Sequence, residues 1–241
     1  MKLWAFGDSY TIDGRQTASA DIIWQNIDKS WVELLQKKLN SSALNIFAAP
    51  GVANEWIFNN VLEQCVNFKS DDVVVVQLTC ASRRWFFEDR PWTSNFLWAS
   101  DTDDLSKNEK TALEFYRRYL INRRADLSNY RMIEMALKSI ALDVNAPSIL
   151  VIPGFDPIQG IKGTLGDICF GEFDDPDLIK KYQIYHKTDP RINHMHEENH
   201  KILADKIFNY FQTWQEIDLT SGFKNKFINS SNYKQNKQLT S

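Results

Sequence analysis

Two rhythms alternate along the chain. Short unbroken apolar runs are separated by longer stretches in which apolar residues recur every three or four positions. The first run, Lys2-Leu-Trp-Ala-Phe6, is rich in β-formers and stops at Gly7-Asp8-Ser9-Tyr10. This predicts a buried strand that ends in a tight turn presenting a hydroxyl. Leu44 to Ala48 predicts a second strand, closed by Ala49-Pro50-Gly51. Val73 to Leu78 opens on four consecutive valines and predicts a third; a run without alternation implies burial on both faces, as in the middle of a parallel sheet. Ser148 to Ile152 predicts a fourth strand before Pro153-Gly154, and Ile168 to Phe173 a fifth.

The intervening stretches read as helices. Trp31, Leu34, Leu35 and Leu39 fall at helical spacing behind Ser30 and Glu33, which have the spacing of a capping box. Asn54 to Cys65 places Ile57, Phe58, Val61, Leu62 and Cys65 on one side. Lys107 to Asn122 and Leu127 to Asp143 continue the pattern, and Ile202 to Phe211 closes it. Strand and helix in alternation predict a single doubly wound domain, a three-layer α/β/α sandwich around a parallel sheet of about five strands.

Three segments break the rhythm. Thr11 to Asp28 is polar and long for a connection, so it is expected to form one wall of a site. Arg83 to Ser100 sets Trp85, Phe86, Phe87, Trp92, Phe96 and Trp98 among charges just after the central strand, where α/β sheets bind ligands. It reads either as an aromatic mini-core or as a platform in which Trp85, Trp92 and Trp98 meet substrate; with the helix behind it, it forms an insertion over about 83–126. Arg117, Arg118, Arg123 and Arg124 are a basic cluster, either a solvated face or a grip on an anionic substrate or partner. From residue 222 to 241 the composition turns to Asn, Lys, Ser and Gln, which predicts a polar tail after a domain of residues 1–221.

Composition narrows the function. A net charge of -3 argues against a general nucleic-acid binder. Cys65, Cys80 and Cys169 are sparse, odd in number and without zinc-like pairing, which suggests a reducing compartment. No apolar stretch approaches the length of a membrane span and no signal-like segment precedes the first strand, so the expected location is cytoplasmic.

A serine on a rigid strand end suits nucleophilic attack, provided a base and oxyanion donors are near. All four histidines, His186, His194, His196 and His200, fall within one late segment that also carries Asp189. His194-x-His196-x₃-His200 invites a metal reading too, although no cysteine supports it and Glu197 and Glu198 suit the first turn of a helix.

Taken together, these motifs resemble those of the SGNH/GDSL hydrolases, esterases and acyl hydrolases with a flavodoxin-like α/β/α fold. Gly7-Asp8-Ser9 is similar to the family's nucleophile turn, and Gly51 to the glycine whose N–H donates to the oxyanion. The stretch from His194 to Leu203-Ala204 resembles the last motif, a histidine ahead of a helical Leu-Ala pair. The resemblance implies Ser9 as nucleophile, His194 as base and a structural place for His200. It also implies oxyanion donation by the N–H groups of Ser9 and Gly51, with no metal or cofactor.

Two positions depart from the family pattern. The asparagine of the third motif is missing after Val73 to Leu78, so the third donor is either absent or supplied by Thr79, Ser82, Arg83 or Asn54. Arg191 stands where the family acid precedes the histidine, which leaves Asp189 as the expected orienter. The expected reaction is hydrolysis of a small-molecule or glycan carboxylic ester, either an O-acylated carbohydrate or a lipid-like acyl ester. The alternative is a glycan- or acyl-binding module that keeps the fold and has lost the chemistry, with the tryptophans stacking on sugar faces.

Overall fold

A computed structural model describes residues 1–11, 30–85, 106–140, 147–168, 195 and 197–223. Within these, four parallel strands lie in the order β2-β1-β3-β4: β1 Leu3–Gly7, β2 Leu44–Ala48, β3 Val73–Gln77 and β4 Ser148–Ile152. Five helices accompany them: α1 Trp31–Leu39, α2 Asn54–Gln64, α3 Lys107–Phe115, α4 Arg123–Ile140 and α5 Glu197–Thr213. Two further short strands, β5 Ile161–Lys162 and β6 Ile217–Asp218, pair in parallel outside the main sheet.

The strand order follows from burial. Every residue of β1 and β3 is buried, so these strands take the two central places, while β2 and β4 are only partly covered. In register, Leu3, Trp4, Ala5 and Phe6 of β1 face Val73, Val74, Val75 and Val76 of β3. The chain leaves β1 toward β2 on one side, then crosses back to β3 and on to β4. Right-handed crossovers therefore put α1 on one face and α2 and α4 on the other. The packing agrees, with α1 against α5 and α2 against α4. This is an α/β fold with helices on both sides of a parallel sheet.

Aromatic rings and one buried acid secure the N-terminal edge. Phe6 stacks on Phe47 with centroids 5.1 Å apart, and Trp4 meets Phe68 edge-on at 5.2 Å. Asp72, 1% exposed, accepts the Lys2 N–H at 2.6 Å, the Trp4 indole N–H at 3.0 Å and the Lys69 N–H at 3.2 Å. One carboxylate thus sets β1 and β3 level with each other.

The helix boundaries differ from the expectation in one informative place. A continuous helix was expected over Lys107 to Asn122, with the next beginning at Leu127. Instead α3 widens into a π-helical turn at Tyr116–Leu120, and α4 begins at Arg123. Asn122 is the cause: its side-chain oxygen takes the Ala125 N–H at 3.2 Å and its carbonyl the Asp126 N–H at 2.9 Å, so it caps α4 four residues early. The expected fifth strand begins at Ile168, which belongs to a short 3-10 turn, Leu165–Ile168; residues 169–173 lie outside the described residues. Folding continues to the end of the described chain, where Leu219 and Phe223 are buried. Among the described residues, no helix is long and apolar enough to cross a membrane.

Replacing Asp72 with alanine strands the Trp4 indole N–H in an apolar wall. A loss of about 2 kcal/mol is expected, measured as a lower midpoint in urea unfolding.

Candidate active site

In a doubly wound sheet the ligand crevice opens at the carboxyl ends of the strands, where the winding reverses. Here the reversal falls between β1 and β3. The turn after β1 carries Ser9, and the described part of the loop after β3 covers Leu78 to Trp85.

The Ser9 turn is built tightly. Thr11 N–H donates to the Asp8 carbonyl at 3.0 Å, closing a four-residue turn. Gly7 sits so close to its neighbours that an added Cβ would lie 2.3 Å from the Thr11 hydroxyl and 2.7 Å from Gln77 Oε1. That same Gln77 oxygen accepts the Asp8 N–H and the Thr11 hydroxyl, each at 3.1 Å. A polar residue at the end of the valine strand therefore holds both ends of the turn. Ser9 itself is buried, with 8% exposure, and Asp8 and Thr11 are fully buried.

Asp8 is the hub. Its Oδ1 accepts the Tyr10 N–H at 3.1 Å, and its Oδ2 accepts the Thr79 hydroxyl at 2.7 Å and Arg83 Nη1 at 2.9 Å. The same Arg83 nitrogen also approaches the Val52 carbonyl at 3.5 Å, on the chain just after Gly51. The guanidinium thus spans the Ser9 turn and the Gly51 turn. Gly51 is buried and adopts φ 70°, a left-handed conformation that favours glycine.

These contacts separate the four residues expected to replace the missing asparagine. Thr79 donates its hydroxyl to Asp8. Asn54 opens α2 and brackets the loop after β3: its oxygen accepts the Thr79 N–H at 2.8 Å, and its amide donates to the Thr79 and Cys80 carbonyls at 3.4 and 3.3 Å. The Ser82 hydroxyl lies 3.0 Å from the Cys80 sulfur. Arg83 uses one nitrogen on Asp8 and Val52, and its side chain keeps 16% exposure.

Acidic side chains from three other elements pin the same loop. Asp156 accepts the Ala81 N–H at 2.7 Å and pairs with Arg123. Glu55 accepts from Arg84 and from Asn129, both at 2.8 Å, and Asp126 pairs with Arg84 as well. Burial alone would lower the Arg84 guanidinium, but these carboxylates hold it above its ordinary value. Tyr130 donates to the Asp156 carbonyl at 2.7 Å; burial, together with the nearby Asp156 and Glu134 charges, pushes its phenol far up. Gly154 completes the brace, because a Cβ there would lie 2.3 Å from the Leu78 carbonyl. Sequence reading singled out none of Asp8, Gln77, Asp156, Glu55 or Asp126 for such a role. The signal for Gln77 was the single polar residue ending an apolar strand; the others carried none.

The late histidine segment approaches through α5. His200 is buried, and its Nδ1 accepts the Trp31 N–H at 3.2 Å, which puts the ring hydrogen on Nε2. The Trp31 indole N–H in turn donates to the Tyr10 carbonyl at 2.7 Å, one residue beyond Ser9. His200 thus ties α5 to the start of α1. His194, Asp189, His196, Trp92 and Trp98 lie outside the described residues. Trp85 is half-buried and lines a cavity of about 390 Å³ between α2 and α4, together with Glu55, Phe58, Leu62, Met132 and Ile133. Among the described residues, no group of histidine, cysteine or acidic side chains has the arrangement of a metal site.

No protein-family model matches the chain, and no curated protein matches it significantly. Among solved structures it is similar to a member of the lipolytic protein G-D-S-L family from Veillonella parvula DSM 2008. The identity is 16%, over 88% of this chain and 99% of that one, with a TM-score of 0.32. A likeness this remote assigns no activity, so the functional reading rests on the site itself.

Breaking the Asp8–Arg83 pair should be costly. Asp8→Ala is expected to lose about 3–5 kcal/mol of stability by leaving a largely buried guanidinium uncompensated. A double-mutant cycle of Asp8→Ala with Arg83→Met, read by urea unfolding, should give a coupling of about 1 kcal/mol or more.

Proposed function

We propose that this protein is a serine ester hydrolase working through an acyl-enzyme. The observation that carries the proposal is the bracing of the Ser9 turn to the Gly51 turn by Arg83, at the carboxyl edge of the sheet where its winding reverses. A nucleophile needs a rigid support and donors fixed in advance where negative charge will develop. Ser9 stands on a turn whose backbone is held by Gln77, Asp8 and Thr11, and the second turn is tied to it through one guanidinium.

In the proposed reaction Ser9 Oγ attacks the acyl carbon while His194 takes the hydroxyl proton. The tetrahedral oxyanion is held by the N–H groups of Ser9 and Gly51. Collapse breaks the bond to the alcohol oxygen, and His194 returns its proton to that leaving group. Water, deprotonated by the same histidine, then releases the acid and restores Ser9. Asp189 orients the imidazole. The assignment of His194 and Asp189 comes from the sequence. It is supported by the link from His200 through Trp31 to Tyr10, which ties the helix six residues beyond His194 to the nucleophile turn.

For the third donor we favour Arg83 over Thr79, Ser82 and Asn54. The Thr79 hydroxyl and the Asn54 amide are engaged within the scaffold, whereas Arg83 has five N–H donors and uses one nitrogen on Asp8 and Val52. Asp8 also offsets its charge, so the guanidinium can help the oxyanion without adding a net cation to the site. The proposed substrate is an O-acylated carbohydrate, with Trp85, Trp92 and Trp98 offering ring faces to the sugar; a lipid-like acyl ester is the other substrate considered.

Ser9→Ala should abolish hydrolysis of a short p-nitrophenyl ester with the fold intact by circular dichroism; full activity would overturn the nucleophile assignment. Asp189→Asn should lower turnover well below wild type. Arg83→Met should lower kcat by about 10²–10³, and Arg83→Lys should recover part of that loss if a cationic donor is what the site requires. Absence of turnover on every ester tried, together with oligosaccharide binding, would replace this reading with a binding module.

A further inference from the structure

The corner between α3 and α4 is shaped unlike the rest of the described surface. From residue 115 to residue 125 only Tyr116 points inward; every other side chain is exposed. Four large apolar residues stand open there: Phe115 at 54%, Tyr119 at 63%, Leu120 at 42% and Ile121 at 61%. Interleaved with them are Arg117, Arg118, Arg123 and Arg124, and the stretch contains no acidic residue. Sequence reading left this cluster between a solvated face and a grip on something anionic. Exposed apolar surface interleaved with one sign of charge favours the second.

The backbone explains the exposure. The π-helical turn at Tyr116–Leu120, closed by Ile121 N–H on the Tyr116 carbonyl at 3.1 Å, widens the helix and leads into the extended residue Ile121. This turns the next side chains off the core. Tyr116 anchors the corner by donating its hydroxyl to the Ser82 carbonyl at 2.9 Å, and Arg123 pairs with Asp156. At the tip, the Phe115 and Tyr119 rings lie 5.2 Å apart, and the Arg118 guanidinium sits 5.5 Å from the Tyr119 ring centroid. Neither Arg118 nor Arg124 pairs with a carboxylate among the described residues. Among the described residues, the exposed Glu114 lies one position before the tip, in a cleft it shares with Lys110, Arg117 and Arg118.

We propose that this corner docks the protein on an anionic lipid surface. Arginine forks grip headgroup phosphates, aromatic rings settle at headgroup depth, and Leu120 and Ile121 reach the acyl boundary. The alternation of arginine with apolar residues on a protruding corner suits a fluid phosphate layer. Because the corner is held to Ser82 and Asp156, docking would turn the edge of the sheet that carries Ser9 toward the membrane. The docking itself does not depend on the hydrolase reading.

The full chain should be tested by co-sedimentation with vesicles of phosphatidylcholine alone and of phosphatidylcholine with an equal part of phosphatidylglycerol. Binding is expected on the anionic vesicles and is expected to fall at high salt. Arg118→Glu with Arg124→Glu should weaken it by at least about tenfold, as expected from the contribution of each basic residue near an anionic surface. Tyr119→Ser with Leu120→Ser and Ile121→Ser should weaken it at low and high salt alike. Ser9→Ala should bind as wild type does, which keeps this test separate from that of catalysis. No binding to anionic vesicles, or variants that bind like wild type, would overturn the proposal. So would a dimer by light scattering that the triple serine variant dissociates, because the corner would then serve a second copy of the chain.

Discussion

A single buried carboxylate holds the candidate site together. Asp8 stands at the end of a central strand with no exposure, and only hydrogen bonds make an ionised group tolerable there. It obtains them from three directions: the Tyr10 backbone, the Thr79 hydroxyl and the Arg83 guanidinium. Each partner fixes a different piece of chain. Tyr10 closes the turn that presents Ser9, Thr79 brings in the loop after β3, and Arg83 reaches across to the Gly51 turn. Removing the carboxylate would release all three at once, so the requirement to satisfy one buried charge also defines the geometry of the site.

Three acids hold the described part of the loop after β3. Asp156, Glu55 and Asp126 come from the loop after β4, from α2 and from α4, and they meet Ala81 and Arg84. Such a loop has little freedom to collapse into the crevice or swing away from it. Pre-organised donors stabilise a developing oxyanion because they need no reorganisation at the moment of reaction, and this scaffold supplies that stiffness on both sides of Ser9. The same network carries the α3–α4 corner through Tyr116 and Arg123, so the proposed docking surface and the proposed chemical site share one rigid support.

Much of the fold was legible because parallel sheets write themselves plainly. The valine run, the apolar start of the chain and the helical spacing of Trp31, Leu34, Leu35 and Leu39 reflect burial along one short segment, a local property of the chain. The start of α4 at Arg123 was not legible. Apolar spacing places it at Leu127, and the earlier start depends on the Asn122 side chain acting as a cap. Within the site, Ser9, Gly51 and Arg83 could be named from turns and order along the chain. The distribution of work among Thr79, Ser82, Arg83 and Asn54 could not, since all four are polar residues able to donate.

What the sequence determined by itself was the alternation of strands and helices, the buried central pair and the serine at a strand end. Each follows from side-chain hydrophobicity and backbone preference within a few residues. What only the tertiary structure decided was which polar groups spend their hydrogen bonds on the scaffold. Asp8 and Arg83 are 75 positions apart, and His200 and Trp31 are 169 apart. Pairings over such distances arise when strands align and helices dock, because a buried polar group must then take the partner that packing brings within reach.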